Sequence, residues 1–393
     1  MTFSQRLDTR FYDTVQQTVR AALAEAGLDA ILTDDPEDVA YLTGFFHHPG
    51  ERPVAVLLHD SGATLLLPAL EVEHALAQDT RAELVDYPEF PGVRPPFAAL
   101  ASAAPRGLSR IGVPASISLA RHRQVGAAFA GAELVETDLI TRARYVKHPE
   151  ELVLHQEAAR ITDLMLERGV ALVREATTSG GELPTEAELA AYVGQVGADT
   201  MYAEHTGVVM TGLGFLAGGL VYSGANSAKP HSLPSAHRLA PGETFMLSLG
   251  CAVGGRFVEG ERTFILGEPS PEQERYYEAV RAAQQTGIDT IRPGITCAEA
   301  NRLCLDVLRE AGVGEHIRHR QGHGIGVGMH ESPWLEDGDQ TVLQQGFVVS
   351  NEPGIYVTGH AGYRVSDSMF VTADGARPLT SYPRSLDDIV LAL

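Results

Sequence analysis

The chain has 393 residues, 44% of them hydrophobic and 21% charged, the balance of a globular protein long enough to divide into two domains. Acidic residues outnumber basic ones 51 to 30, and a formal charge of −21 repels nucleic acid and anionic membrane, which argues against DNA, RNA or a lipid surface as partner. No apolar run approaches the ~20 residues that span a bilayer, and the start Met1-Thr-Phe-Ser-Gln-Arg-Leu7 lacks the basic-then-apolar pattern of a secretory signal, so a cytoplasmic location is expected.

Phe11, Val15, Val19, Leu23 and Ala26 recur at helical spacing up to Gly27, and a short strand follows from Ala30 to Thr33. Val54 to Leu58 and Thr64 to Leu67 flank Asp60-Ser61-Gly62 as a hairpin, and apolar segments alternate with helical ones as far as about Leu134. This predicts a small α/β domain over 1–145. The polar and basic stretch Arg142, Arg144, Lys147 and His148 marks the boundary, and Pro149-Glu150-Glu151 opens a long helix through about Val173 in a second domain over 146–393.

In that second part, Thr185-x-x-Glu188, Ser270-x-x-Gln273 and Thr296-x-x-Glu299 are capping-box patterns that start three helices. Phe245, Leu247 and Leu249 alternate with Met246 and Ser248, Gly254-Gly255 turns the chain, and Glu259, Glu261 and Thr263 share one face of the returning strand. A last hairpin is expected from Tyr363 to about Thr372, turning at Asp374-Gly375 and returning through Leu379, which makes the second domain α+β. Cys251, Cys297 and Cys304 are an odd set without metal-type spacing and are expected as reduced thiols packed like small apolar residues.

Five positions stand out chemically. His323 lies between Gly322 and Gly324, glycines that permit close approach of a ligand, although a turn histidine bonded locally is the alternative. His330, seven residues on, precedes Glu331-Ser-Pro333, where a solvated loop histidine is equally natural. Glu352 follows the apolar Phe347-Val348-Val349, and a carboxylate at the end of a buried strand is tolerated when paired or coordinating. Arg364, beside Tyr363, is either a surface strand charge or a planar clamp for a substrate carboxylate. His231 sits in the polar run Ser223-Gly-Ala-Asn-Ser-Ala-Lys-Pro-His231, by itself a solvent-exposed loop.

In order along the chain, Gly27-Leu-Asp-Ala-Ile-Leu-Thr33 with Ala40-Tyr-Leu-Thr-Gly44, Lys147-x-Pro-Glu-Glu151, Ser223 to His231, Gly322-His-Gly-Ile-Gly326, His330-Glu-x-Pro333 and Glu352-Pro-Gly-Ile-Tyr356 resemble the pita-bread peptidase family of Xaa-Pro dipeptidase, aminopeptidase P, methionine aminopeptidase and creatinase. The resemblance covers nearly the whole chain and implies a creatinase-type N-terminal α/β domain followed by an α+β pita-bread domain. It also implies that His231 and His330 contact substrate and assist proton transfer, that His323 and Glu352 are metal ligands, and that the chain forms a homodimer. Metal-dependent members carry two aspartates eleven residues apart and a final glutamate; those positions here hold Ser248, Glu259 and Ser366.

Two divalent ions bring about four positive charges at ~3.5–4 Å separation and need several hard carboxylates, so loss of those at Ser248 and Ser366 argues against a dinuclear centre. Glu259, His323 and Glu352 leave a set for one divalent ion of the Mn, Zn or Co class, or for none. Leu247-Ser-Leu249 and Glu261-Arg-Thr263 resemble metal-free creatinase, although Val365-Ser366 stands where that enzyme has a further glutamate. Three readings follow. The first is a hydrolase of C–N bonds in a small substrate without a dinuclear centre, in which His231 or His323 moves the proton and Glu261 or Glu352 orients it or stabilises a developing cation. The second is a single-metal Xaa-Pro dipeptidase or aminopeptidase, with Arg364 holding a peptide carboxylate. The third is a catalytically inactive homologue that binds a small ligand.

Overall fold

Asp8 caps the first helix, Thr9–Ala26, by accepting the N–H of Arg10, and Gly27 ends it in the left-handed region at φ 63°. The computed structural model describes residues 2–89, 92–210 and 216–393. They divide into two units, residues 6–144 with Val209 and Met210 in one and residues 2–5, 145–208 and 216–393 in the other.

The first unit is built on a six-stranded mixed sheet in the order Glu83–Tyr87, Gly62–Pro68, Ala55–His59, Ala30–Thr33, Arg110–Val113, Glu133–Glu136. The hairpin expected around Asp60-Ser61-Gly62 forms, with Ala55–His59 antiparallel to Gly62–Pro68. Leu32, Leu57, Leu66, Phe97, Leu100, Ile111 and Val125 bury against one another as its core. At ~25 cal/mol per Å² of apolar surface removed from water, such packing is what holds the helices to the sheet.

In the second unit the long helix runs Pro149–Ser179, past the expected end near Val173, because nothing from 174 to 179 breaks it before Gly180 turns left-handed at φ 67°. Thr185 and Ser270 form complete capping boxes, whereas Thr296 makes only the forward bond to the Glu299 N–H. A nine-stranded sheet follows the path Glu331–Leu335, Gly322–Gly324, Val348–Asn351, Ser366–Val371, Arg256–Leu266, Thr244–Val253, Ala217–Ser223, with Ala376–Pro378 and Val390–Leu391 added at its side. The final hairpin turns at Asp374-Gly375 as expected, Ser366–Val371 pairing with Ala376–Pro378, but its first strand is not continuous from Tyr363. The chain breaks at Val365, so that Ala361–Arg364 pairs with Gly354–Val357 while Ser366–Val371 enters the large sheet. The Thr263 hydroxyl causes this break to hold, accepting the Arg364 N–H at 2.9 Å and donating to its carbonyl at 3.0 Å in place of ladder bonds.

The three cysteines are buried and free. No helix of the described residues is long and apolar enough to cross a membrane. Ion pairs almost wholly enclosed among the described residues include Arg256 with Glu151, Lys147 with Glu331, Arg262 with Asp367, and Arg364 with Glu261.

His155, on the long helix, is completely buried with Nδ1–H donating to the Phe257 carbonyl at 2.8 Å. Burial, and then the charge of Lys147, lower its pKa from 6.5 to about 3. Below pH 6.5 the unfolded chain therefore binds a proton that the folded chain refuses, so this group's stabilisation is complete above pH 6.5 and is lost as pH falls toward 3. The loss is ~1.4 kcal/mol per pH unit. Urea midpoints measured from pH 6.5 down to 4.5 are expected to fall more steeply in the parent protein than in His155→Gln; equal slopes would remove His155 as the cause.

Candidate active site

Antiparallel register brings the key side chains together. Ser248 on Thr244–Val253 lies opposite Glu261 on Arg256–Leu266, and Glu261 lies opposite Ser366 on the next strand. Glu259, two residues from Glu261, projects from the same face of the strand. From the far side of the sheet come His323, on Gly322–Gly324, and Glu352, directly after Val348–Asn351. Gly322 is required by close approach: a Cβ there would lie 2.2 Å from the Ser350 carbonyl oxygen. Ser248, Glu259, Glu261, His323 and Glu352 line one cavity of about 770 Å³, whose walls include His231, His319, Arg320, His330, Glu336 and Arg364.

His323 Nδ1–H donates to the Gly324 carbonyl at 3.0 Å, and its backbone N–H donates to Ser350 Oγ. A carbonyl accepts only, so the proton belongs on Nδ1 and Nε2 is left facing the carboxylates. Nε2 is 3.2 Å from Glu352 Oε1 and 3.7 Å from Glu259 Oε2, yet buried without a well-aligned hydrogen bond. Burial opposes a charged imidazole, but Glu259 and Glu352 outweigh it and lift His323 to about 9. Burial and the neighbouring Glu352 raise Glu259 to about 8, whereas for Glu352 the contacts with His323 overcome burial and lower it. The His330 ring, at the exposed mouth, sits 4.0 Å from the His323 ring. The adjacent Glu331 fixes that loop: it accepts from Lys147 Nζ at 2.8 Å and from the Gly328 N–H at 3.2 Å.

Arg364 is committed within the protein. Its guanidinium pairs with Glu261 through both Nε and Nη2, the latter at 2.8 Å, and also donates to Tyr222, Ser248 and Tyr356. The clamp role expected of it toward a substrate carboxylate thus meets a fork already engaged, and Glu261 is correspondingly held rather than poised. Tyr363 does not line the cavity among the described residues; its hydroxyl bonds His360 Nε2 at 2.7 Å and its ring packs on Tyr276. His231 does line it, as an exposed residue.

Sequence reading missed His319, Arg320, Tyr222, Tyr356 and Glu336. His319 donates from Nδ1 to the Arg320 carbonyl at 2.7 Å, and its Nε2 accepts from Tyr356 Oη at 2.8 Å, linking it through Tyr356 to Arg364. The signal available was the polar run Arg318-His-Arg320 immediately before Gln321-Gly-His323.

Residues 153–373 match Metallopeptidase family M24, more than half of the chain, and residues 16–146 match the Creatinase/Prolidase N-terminal domain. The chain belongs to metallopeptidase family M24. Among M24 relatives it is 32% identical over 393 residues to the probable dipeptidase PepE of Mycobacterium tuberculosis, covering 98% of each chain. It is 30% identical over 368 residues to the Xaa-Pro dipeptidase of Lactobacillus delbrueckii subsp. lactis, covering 93% of this chain and 96% of that one. The solved Xaa-Pro dipeptidase from Bacillus anthracis superposes with a TM-score of 0.83 at 28% identity, over 97% of this chain and 100% of that one. The expected family and the expected order of an α/β unit before an α+β unit are therefore correct.

Ligand atoms of Glu259, His323 and His330 lie within 4.8 Å of one another, a set with the donor chemistry for a divalent ion. The orphaned His323 Nε2 between two carboxylates fits such an ion as well. Ser248 and Ser366 point the other way: Ser248 Oγ is bonded to Glu261, and Ser366 Oγ donates to Glu259 Oε1 at 3.0 Å.

Proposed function

We propose that this M24 chain is a peptidase of small peptides, an Xaa-Pro dipeptidase or aminopeptidase, working with one divalent ion of the Mn, Zn or Co class at most. The observation that carries it is the convergence of Glu259, His323 and His330 within 4.8 Å on the cavity wall, with Glu352 Oε1 3.2 Å from His323. The names of its dipeptidase relatives support the substrate class. A bound divalent ion supplies Lewis-acid polarisation of the scissile carbonyl and eases deprotonation of water.

The chain's own residues do the rest. Glu259, His323 and Glu352 would hold the ion, with His330 beside them at its open side, and Glu352 would accept the proton of the attacking water. His330 and His231, at the open side, contact the substrate and return a proton to the departing amine. Glu261 is oriented by Arg364 and keeps that cation on the cavity wall next to Ser248. Such acid-base assistance contributes ~10²–10⁴-fold and depends on the substrate being held in register. The resemblance further supports a cytoplasmic homodimer as the working form.

A second reading, a metal-free hydrolase of C–N bonds, is favoured by one observation. Arg364 places a fixed cation against Ser248, where the family's first metal-binding carboxylate would be, and no free carboxylate remains at that end. One experiment separates the two. Metal analysis of the purified protein and turnover of Xaa-Pro dipeptides with and without Mn²⁺ are expected to give no more than one ion per chain and metal-dependent hydrolysis. Turnover that ignores chelation selects the metal-free reading, and two ions per chain overturn both. Absence of turnover together with a ligand-raised melting temperature selects the inactive small-ligand-binding homologue.

A further inference from the structure

Four carboxylates line the cavity, Glu259, Glu261, Glu336 and Glu352, so a peptide with a free C-terminus brings a negative charge into an acidic setting. It needs a cation with donors to spare. Arg364 has none: it is buried and its fork serves Glu261, Ser248, Tyr222 and Tyr356. Arg320 differs on each count. Its side chain is about a third exposed, at 32%, and only Nη1 is engaged, donating to Glu336 Oε2 at 2.9 Å. Nε and Nη2 have no recorded partner among the described residues.

The guanidinium is also held in place. Its carbon lies 4.1 Å from the centroid of the Trp334 ring, a cation–π seat that fixes the plane and leaves its N–H edge open. Trp334 in turn stands edge-on to His323, ring centroids 6.4 Å apart. Arg320 therefore sits one aromatic ring beyond the group that faces the reacting bond. At ~3.8 Å from one Cα to the next, spans of 4.1 Å and 6.4 Å keep the guanidinium within a few residues' length of His323, the reach of a short peptide. Glu336 is 41% exposed and engages Nη1 alone, so it balances the guanidinium without covering Nε and Nη2.

We propose that Arg320, seated on Trp334, is the specificity-determining residue that receives the terminal carboxylate of a short peptide. The assignment rests on the small-peptide reading above and replaces Arg364 in the clamp role. A planar fork presents two parallel N–H groups to a carboxylate, which selects for the free acid of a short peptide.

The test is calorimetric binding of a dipeptide analogue with its scissile amide reduced to a methyleneamine, as the free acid and as the C-terminal amide, to the full chain. The parent protein is expected to bind the acid at least 10-fold more tightly than the amide. Arg320→Gln and Arg320→Ala are expected to bind both alike, at the affinity the parent shows for the amide, and Arg320→Lys to recover part of the preference. Because a general loosening of the site weakens both ligands together, the acid-to-amide ratio isolates the carboxylate contact. A parent protein that binds acid and amide alike, or binds neither, overturns the assignment, as does a ratio that survives in Arg320→Gln. If the ratio behaves as expected while dipeptides are never hydrolysed, the carboxylate site stands and the peptidase reading falls. If dipeptides are hydrolysed but the ratio is indifferent to Arg320, the reverse holds.

Discussion

Replacing His323 with alanine is expected to reduce dipeptide turnover by at least about 10³-fold, within the range that loss of an acid-base group and of oriented binding produces. The residue is 1% exposed, its Nδ1 and backbone N–H are both fixed by the protein, and only Nε2 is offered to the cavity. Under the single-ion reading the variant loses an ion ligand; under the metal-free reading it loses the proton carrier. Both therefore forecast the same collapse, and metal analysis tells them apart, since ion content falls only in the first. The variant also leaves Glu352 and Glu259 without their counter-charge, so far-UV circular dichroism is the control that the chain is folded. A folded His323→Ala protein with parental kcat/KM would sink both enzymatic readings.

Truncating Glu261 to alanine is expected to have the largest effect on stability, about 3–5 kcal/mol, because it strands a guanidinium inside the protein. The Arg364 and Glu261 side chains are 5% and 6% exposed, and among the described residues the carboxylate is the only anion paired with that cation. Burial raises the Glu261 pKa while Arg364 pulls it back, which is the balance expected of a carboxylate whose charge survives only through its partner. Desolvation of two ions consumes most of their mutual attraction, so the pair as a whole contributes far less than the cost of breaking it. The double variant Glu261→Ala with Arg364→Met is accordingly expected to recover most of the loss in urea unfolding. A single variant as stable as the parent would show that water reaches the guanidinium and that the pair is not a closed unit.

What was legible in the sequence was local. Thr185 and Ser270 announce helices because a cap and its partner lie three residues apart, and Gly27 announces a helix end because few residues tolerate φ 63°. His323 and Glu352 were legible because of the glycine and proline around them, glycine permitting the close approach seen at Gly322. The strand break at Val365 was hidden: alternation continues through it, and the hydroxyl that stabilises it comes from Thr263, about a hundred residues away in sequence. Commitment of Arg364 to Glu261 was hidden for the same reason, since it depends on which strands become neighbours. His319 and Arg320 were overlooked because no glycine marks them, although they adjoin the motif that was read.

The Lys147–Glu331 bond joins two points 184 residues apart, tying the approach to the long helix to the loop that carries His330. Both partners are nearly dry, at 3% and 6% side-chain exposure, so releasing the loop breaks an ion pair in a medium that solvates charge poorly. The position of the His330 ring and the packing around the long helix are thereby coupled. Loss of dipeptide turnover on warming is accordingly expected to follow the same curve as loss of tertiary structure.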